Sequence, residues 1–367
     1  MLKNFLKKLS LMAVLIAFSA TVFAAEEKVV NVFNWSDYIA EDTLALFEKE
    51  TGIKVVYDVF DSNEVLETKL LAGGSGFDVV VPSDTFLGKQ IMAGVFMPLD
   101  RAKIPNHGNL DGKLMEVLAS KDKGNQHAII YMWGTTGIGY NVDKVRAILG
   151  EDAPTDSWDL VFKPEYLSKL KQCGVAFLDA PTEILPLALN YLGMDPNSLK
   201  KSDYQVAYDL LKPIRPYITY FHSSKYINDL ANGDICVAIG WSGDVIQAQT
   251  RAAEAENGVN VAYVIPKEGA VLWFDTMAIP KDAKHPENAH KFLNFILKPE
   301  VTAGISNYVA YANANEASYP LIDKAIMDDP GIYPTAEAKK NLFSGIVFPP
   351  KIDRVRTRVF TKLKTGQ

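Results

Sequence analysis

Apolar and polar positions follow two different rhythms along this chain, and the switches between them mark its elements. Val29-Val30-Asn31-Val32-Phe33 is rich in β-branched residues and alternates with the two-residue period of a strand. From Glu41 to Glu50, Leu44 and Phe47 share one helical face, and Thr51-Gly52 is a stop signal. Ile53 to Phe60 reads as a second strand. Asp61 with Glu64 reads as a capping box ahead of an apolar helical face of Val65, Leu66, Leu70 and Leu71. Gly73-Gly74 closes that helix. Phe77-Asp78-Val79-Val80-Val81, halted by Pro82, predicts a strand covered on both faces, as in parallel sheets. This β-α-β-α-β rhythm makes the first hundred residues an α/β unit.

The second half repeats the style without repeating the sequence. Val175 to Leu178 predicts a strand and Thr182 to Leu192 a helix, despite Pro186. Ser223 or Ser224 is a candidate cap for a helix through Tyr226, Ile227 and Leu230, ended by Asn232-Gly233. Ile235 to Ile239 is a buried strand, and Val259 to Ile265 another. Between the halves, His127 to Tyr140 is extended and punctuated by glycine, which suits a crossing from one lobe to the other. Thr276 to Pro280 reads as the return, after which a surface helix with Ala289, Phe292, Leu293 and Ile296, carrying His285 and His290, packs on the first lobe. The expected class is α/β, with two lobes joined by a hinge of extended crossings around a cleft. Lobe one takes residues 25–135 plus 278–330, and lobe two takes 136–277 plus 331–367.

Residues 1–24 have a pattern of their own. Lys3, Lys7 and Lys8 precede an apolar run from Leu9 to Phe23, and Val22-Phe23-Ala24 offers a cleavage point. This predicts a removable secretory signal, Ala25 as the first mature residue, and a periplasmic destination. No cysteine lies near for lipid attachment, and no later stretch is long and apolar enough to span a bilayer. The leader holds three basic residues and no acid, so the mature chain is more acidic than the formal −6 of all 367 residues. That argues against nucleic acid and anionic lipid as partners and favours cationic ligands. With 48% hydrophobic residues, the chain can fill two cores. Cys173 and Cys236 are its two cysteines. In an oxidising compartment they suggest one structural disulfide, with two buried free thiols as the alternative.

Ligands of open α/β sheets sit beyond the carboxyl ends of strands, and the unusual residues gather there. Trp35-Ser36-Asp37-Tyr38 follows the first strand, Pro82-Ser83-Asp84-Thr85 the third, and Asp179 with Glu183 a strand of the second half. Trp241-Ser242-Gly243-Asp244 follows another, Trp273-Phe274-Asp275 precedes the return crossing, and Tyr308 and Tyr311 come late. Acids and rings recur in this set and bases do not. Carboxylates give charge-assisted hydrogen bonds to an alkyl ammonium, and ring faces attract the cation and pack on its methylenes. The set therefore suits a small organic cation with an aliphatic body. Taken singly, Asp37, Ser83, Asp84 and Asp244 serve equally as helix caps, Trp35 and Trp241 as core residues, and Glu183 as a partner of a helix dipole. Catalytic signatures are weaker still: there is no Gly-x-Ser-x-Gly, no His-Glu-x-x-His and no phosphate loop. Paired carboxylates with aromatic platforms leave a secreted glycoside hydrolase as the enzyme alternative.

Five blocks carry a resemblance: Asn34 to Ile39, Phe77 to Ser83, Thr136 to Asn141, Asn228 to Asp234 and Lys351 to Arg356. Together they resemble the periplasmic polyamine-binding proteins of bacterial ABC importers, nearest the putrescine-binding members, over essentially all of the chain after the leader. The resemblance implies a type II periplasmic solute-binding fold that closes on putrescine and docks on permease subunits, without enzymatic activity, cofactor or metal. It implies that Trp35, Ser36 and Tyr38 line one wall with Ser83 and Thr85 nearby, and that Glu183, Trp241, Asp244 and Asp275 face them. Trp273 and Tyr311 then close over the methylenes. Asp37 orients its loop or contacts an amine. The resemblance also supports a Cys173–Cys236 disulfide. In one departure, Trp273 stands where the putrescine-binding type carries Phe, so spermidine preference or dual polyamine binding is the alternative.

Overall fold

The computed structural model describes residues 26–366, so the expected leader lies outside the described residues. Among the described residues, no helix is long and apolar enough to cross a membrane. The strands are β1 (Val29–Trp35), β2 (Lys54–Phe60), β3 (Val79–Val80), β4 (Ala128–Asn141), β5 (Val175–Phe177), β6 (Tyr220–Phe221), β7 (Val237–Trp241), β8 (Val261–Val264), β9 (Ala270–Ala278), β10 (Ala312–Asn313) and β11 (Leu342–Ser344). Their main path runs β2-β1-β3-β9-β4-β7-β5-β6. Pairing is parallel within β2-β1-β3 and within β7-β5-β6, and antiparallel where these groups meet β9 and β4.

β4 holds the two lobes in one frame. Its residues 128–135 pair with β9 in the first lobe, and residues 136–141 pair with β7 and β8 in the second. The stretch expected as an extended crossing is one continuous strand that passes from the first sheet to the second. Its glycines are there for close approach, since a Cβ at Gly137 would lie 2.4 Å from the Val264 carbonyl oxygen. A register shift at Tyr131 sets Asp275 opposite Met132. β9 pairs with β4 from Leu272 onward, so the chain has rejoined the first sheet before Thr276.

Helices cover both sheets. In the first lobe, Phe292 and Phe295 of helix Pro286–Ile296 meet Phe47 of helix Thr43–Thr51 edge to face, 5.2 and 5.3 Å between centroids. This helix keeps Glu287 and Lys291 exposed, as a surface helix does, but His290 falls on its covered face. His290 is buried and its Nε2 accepts the Asp100 N–H, because the loop from Asp100 to Asn109 lies over it. The cap of helix Asn63–Ala72 also differs: Ser62 Oγ accepts the Val65 N–H at 3.2 Å, in place of the Asp61–Glu64 box. In the second lobe, helix Pro350–Thr365 is anchored by Phe360 on Phe221 and by Arg215, whose guanidinium donates to the Lys364 carbonyl. The lobes touch through Arg251 on Asp37 at 2.7 Å, Lys89 on Asp353 at 3.4 Å, and Trp35 against Trp241. They are closed.

Cys173 and Cys236 form a disulfide with a Cα–Cα distance of 5.5 Å, just ahead of the neighbouring parallel strands β5 and β7. It closes a loop across a sequence separation of 63, which gives a stabilisation of roughly 4 kcal/mol by chain entropy. Replacing both cysteines by serine should lower the urea midpoint and reduce the stability extrapolated to water by up to that amount, with a larger m-value because the unfolded chain without the cross-link is more open. An unmoved midpoint would show that the bond adds nothing to stability.

Candidate functional site

Between the lobes lies a cavity of about 440 Å³. Each wall follows from where a strand stops. β1 ends at Trp35, whose indole N–H donates to the Val81 carbonyl at 2.9 Å and so sets the ring in the wall; Ser36 and Tyr38 come next. Ser83 comes after β3, immediately before helix Asp84–Met92. β7 ends at Trp241 and places Asp244 in the first turn of helix Ser242–Glu254. Glu183 is in the first turn of helix Pro181–Tyr191, β9 supplies Trp273 and Asp275, and Tyr311 precedes β10. The rings form a continuous lining: Trp35–Trp241, Trp241–Trp273, Trp273–Tyr311 and Tyr311–Tyr38 centroids are 5.4, 6.5, 5.6 and 5.0 Å apart, all edge to face.

Each carboxylate is held by hydroxyls. Tyr226 and Tyr311 donate to Asp244 at 2.7 Å each, one to either oxygen. Both phenol oxygens accept backbone N–H groups, from Trp241 at 3.0 Å and Asp244 at 3.1 Å, which turns their protons toward the acid. Ser83 donates to Asp275 at 2.6 Å and accepts in turn from Asn63 at 2.9 Å. Thr136 donates to Glu183 at 2.6 Å and accepts the Trp273 indole N–H at 3.2 Å. Asp244 and Asp275 are only 6% and 5% exposed, and Glu183 is half-buried. Withdrawal from water pushes the carboxyls of all three up to about 7, against the opposing pull of these hydroxyls. No lysine, arginine or histidine among the described residues lines the cavity. The arrangement is short of positive charge.

Ten of the twelve residues expected at the site line this cavity: Trp35, Ser36, Tyr38, Ser83, Glu183, Trp241, Asp244, Trp273, Asp275 and Tyr311. Two do not. Asp37 adopts a left-handed φ of 55°, which swings its carboxylate outward onto Arg251. Thr85 is one helical residue beyond Asp84 and faces Gly345 in an adjoining hollow. Three lining residues escaped the sequence reading: Asp61, Asn63 and Ser223. Asp61 had the appearance of a capping box and Ser223 that of a cap. Yet helix Tyr226–Asn232 starts after Lys225 with no side-chain cap, and the Ser223 hydroxyl is buried without a partner. Asn63 carried no local signal, because its task is to hold Ser83 from twenty residues away.

Residues 43–335 match the model of the bacterial extracellular solute-binding proteins, and the chain belongs to that family. It is a periplasmic solute-binding protein, with the two-lobed type II fold, and not an enzyme. Among individual relatives, it is 62% identical to the putrescine-binding periplasmic protein PotF of Escherichia coli strain K12 over 354 residues, 96% of each chain. It is 58% identical to the putrescine-binding periplasmic protein SpuD of Pseudomonas aeruginosa strain UCBPP-PA14, over the full length of both. Among solved structures, a putative spermidine/putrescine ABC transporter protein from Listeria monocytogenes superposes with a TM-score of 0.82 at 36% identity. That match covers 93% of this chain and all of the other.

The raised carboxyls fix a sign for stability. A folded-state value near 7 against an unfolded one near 4 means that the folded, ligand-free protein holds extra protons between those values, so this contribution to stability falls as pH rises through that window. Asp244→Asn lacks the titration. Relative to wild type, the variant is expected to gain on the order of 2–3 kcal/mol of stability between pH 5 and pH 8, on top of a constant offset from its amide facing two phenol donors. Denaturant melts of ligand-free protein at the two pH values measure it, and a constant difference would show that Asp244 ionises normally.

Proposed function

We propose that this protein binds putrescine in the closed cavity and delivers it to the membrane permease of an ABC importer. One observation carries the reading: three acids withdrawn from water, framed by aromatic rings, with no basic side chain among them. A diammonium ion supplies the missing charge at both ends and an apolar tetramethylene body between them. Asp244 and Asp275 take ammonium groups, with Glu183 as the third acid, and the faces of the tryptophans and tyrosines pack along the methylenes. Binding favours closure, since Trp35, Tyr38 and Ser83 come from the first lobe while Glu183, Trp241 and Asp244 come from the second, and the full set of contacts exists only when the lobes meet. The names of PotF and SpuD support the choice of putrescine. A second reading, spermidine, rests on Trp273, the larger ring standing where the putrescine-binding type carries Phe; its indole is fixed through Thr136 to Glu183 at one end of the cavity.

Calorimetry on ligand-stripped protein with putrescine, cadaverine, spermidine and spermine tests the reading, and failure to bind any of them rejects it. Asp244→Asn and Asp275→Asn should each weaken putrescine at least tenfold with the fold retained; wild-type affinity in both would remove these acids from the site. Trp273→Phe should change the ratio of spermidine to putrescine affinity, and a constant ratio would exclude Trp273 as the selector.

A further inference from the structure

A second cavity lies between the lobes, of about 470 Å³, and it shares no lining residue with the first. Helix Asp84–Met92 of the first lobe brings Thr85, Phe86 and Lys89 to it. The second lobe brings Thr182 from helix Pro181–Tyr191, and Asp353 and Arg356 from helix Pro350–Thr365. Phe343 of β11 and Val271 of β9, partners in register, also line it. The block Lys351 to Arg356, which the ligand cavity does not use, therefore has its acid and its second arginine here.

Arg356 is short of counter-charge. It is 4% exposed, with its guanidinium 4.0 Å from the centre of the Phe348 ring. Its Nη1 donates to Asp353 at 3.2 Å, while Nε is buried with no acceptor. Asp353 is shared, since its other oxygen meets Lys89 at 3.4 Å; Lys89 has a further acid in Glu67 at 3.0 Å, and Arg356 has none. The Nε–Nη2 edge stays open, the side on which a guanidinium grips a carboxylate through two parallel hydrogen bonds. A buried donor without a partner is costly and rare unless a visiting group completes it. The approach is basic as well. An outer hollow shares Lys89 and Asp353 with this cavity and adds Arg354 and Arg358, neither of them in an ion pair among the described residues.

We propose that this cavity binds a small organic carboxylate with an apolar body, and that its occupancy is coupled to closure on the diamine. The carboxylate takes Nε and Nη2 of Arg356, and the body packs against Phe86, Phe343 and Phe348. An inorganic anion would leave those rings unused. Both lobes supply the walls, so the site is complete only in the closed form, the form that a ligand in the first cavity also favours. The two cavities are neighbours. Thr85 is two residues beyond Ser83 and Thr182 immediately precedes Glu183, and all four line one hollow between them. The anion site rests on this geometry and not on which amine fills the first cavity.

The test is calorimetry at fixed ionic strength with benzoate and its uncharged isostere benzamide, on wild type, Arg356→Lys and Arg354→Gln, with and without saturating putrescine. Benzoate should bind one to a chain, at least tenfold tighter than benzamide. Arg356→Lys keeps the charge but loses the fork, and should weaken benzoate about tenfold; Arg354→Gln, on the exposed approach, should weaken it about twofold. Putrescine should bind at least threefold tighter in saturating benzoate, and benzoate tighter by the same factor in saturating putrescine. Putrescine alone should stay within twofold of wild type in both variants, which shows that they are folded. Absence of benzoate binding, benzamide binding equally well, wild-type benzoate affinity in Arg356→Lys, or a putrescine affinity that bound benzoate does not move would each overturn the proposal. Should no amine bind at all, the polyamine reading fails by itself, and benzoate binding with its loss in Arg356→Lys still decides the anion site.

Discussion

Carboxylates withdrawn from water without a resident cation are the constraint around which this molecule is arranged. Elsewhere the chain gives its buried acids nitrogen partners: Asp84 faces the Lys121 ammonium at 3.3 Å, and Asp78 and Asp122 meet the imidazoles of His285 and His127 at 2.9 and 2.8 Å. In the cavity the same chain uses hydroxyls instead. Hydroxyl donors soften the desolvation of Asp244, Asp275 and Glu183 without cancelling their charge. A lysine there would make the empty protein more stable and would occupy the place of the guest. In the reading proposed above, this deficit of positive charge is what selects a cation.

Holding those hydroxyls in place dictates small residues behind them. A Cβ on Gly243 would lie 2.3 Å from the Tyr311 ring, and one on Gly240 2.6 Å from that of Tyr226, the two phenols that grip Asp244. A Cβ on Gly134 would meet both the Ser242 hydroxyl and the Trp273 indole at 2.8 Å. The segment Gly240-Trp241-Ser242-Gly243-Asp244 therefore works as a unit. Its glycines admit the rings, its tryptophan walls the cavity, and its acid sits in the first helical turn, where the helix dipole favours negative charge. β4 runs past this segment and past β9, so one strand sets Trp241 at the end of β7 and Trp273 and Asp275 on β9.

Strand ends were legible because β-branched runs and their stops are local. Trp35, Trp241 and Asp244 follow directly from where β1 and β7 finish. The misplaced residues fail for equally local reasons that the spacing conceals. Asp37 and Tyr38 are adjacent, yet one left-handed φ sends the acid outside and leaves the ring inside. Serine and aspartate ahead of a helix have the same signature whether they cap it or face a ligand, so Asp61 and Ser223 look like caps in the spacing alone. Tertiary packing sets the true cap at Ser62 and the uncapped start at Lys225. Partners brought from afar, such as Asn63 on Ser83 or Thr136 on Glu183, leave no trace in the spacing at all.

The hold of one lobe on the other obeys the same charge balance. The Arg251–Asp37 pair bridges them, but its side chains are 32% and 38% exposed, and such a pair contributes on the order of 1 kcal/mol or less. Lys89 on Asp353 is similarly open to solvent, at 32% and 26%. Closing on an empty cavity, meanwhile, withdraws three carboxylates from water, which opposes closure unless they take up protons or a cation. The rim contacts are too weak to outweigh that cost at a pH where the acids are ionised. A diammonium ion reverses the sign of the electrostatic contribution, from like charges crowded together to opposite charges paired at low dielectric. The equilibrium between open and closed forms is thus set by the occupant of the cavity, and the rim pairs adjust alignment once the charge has been met.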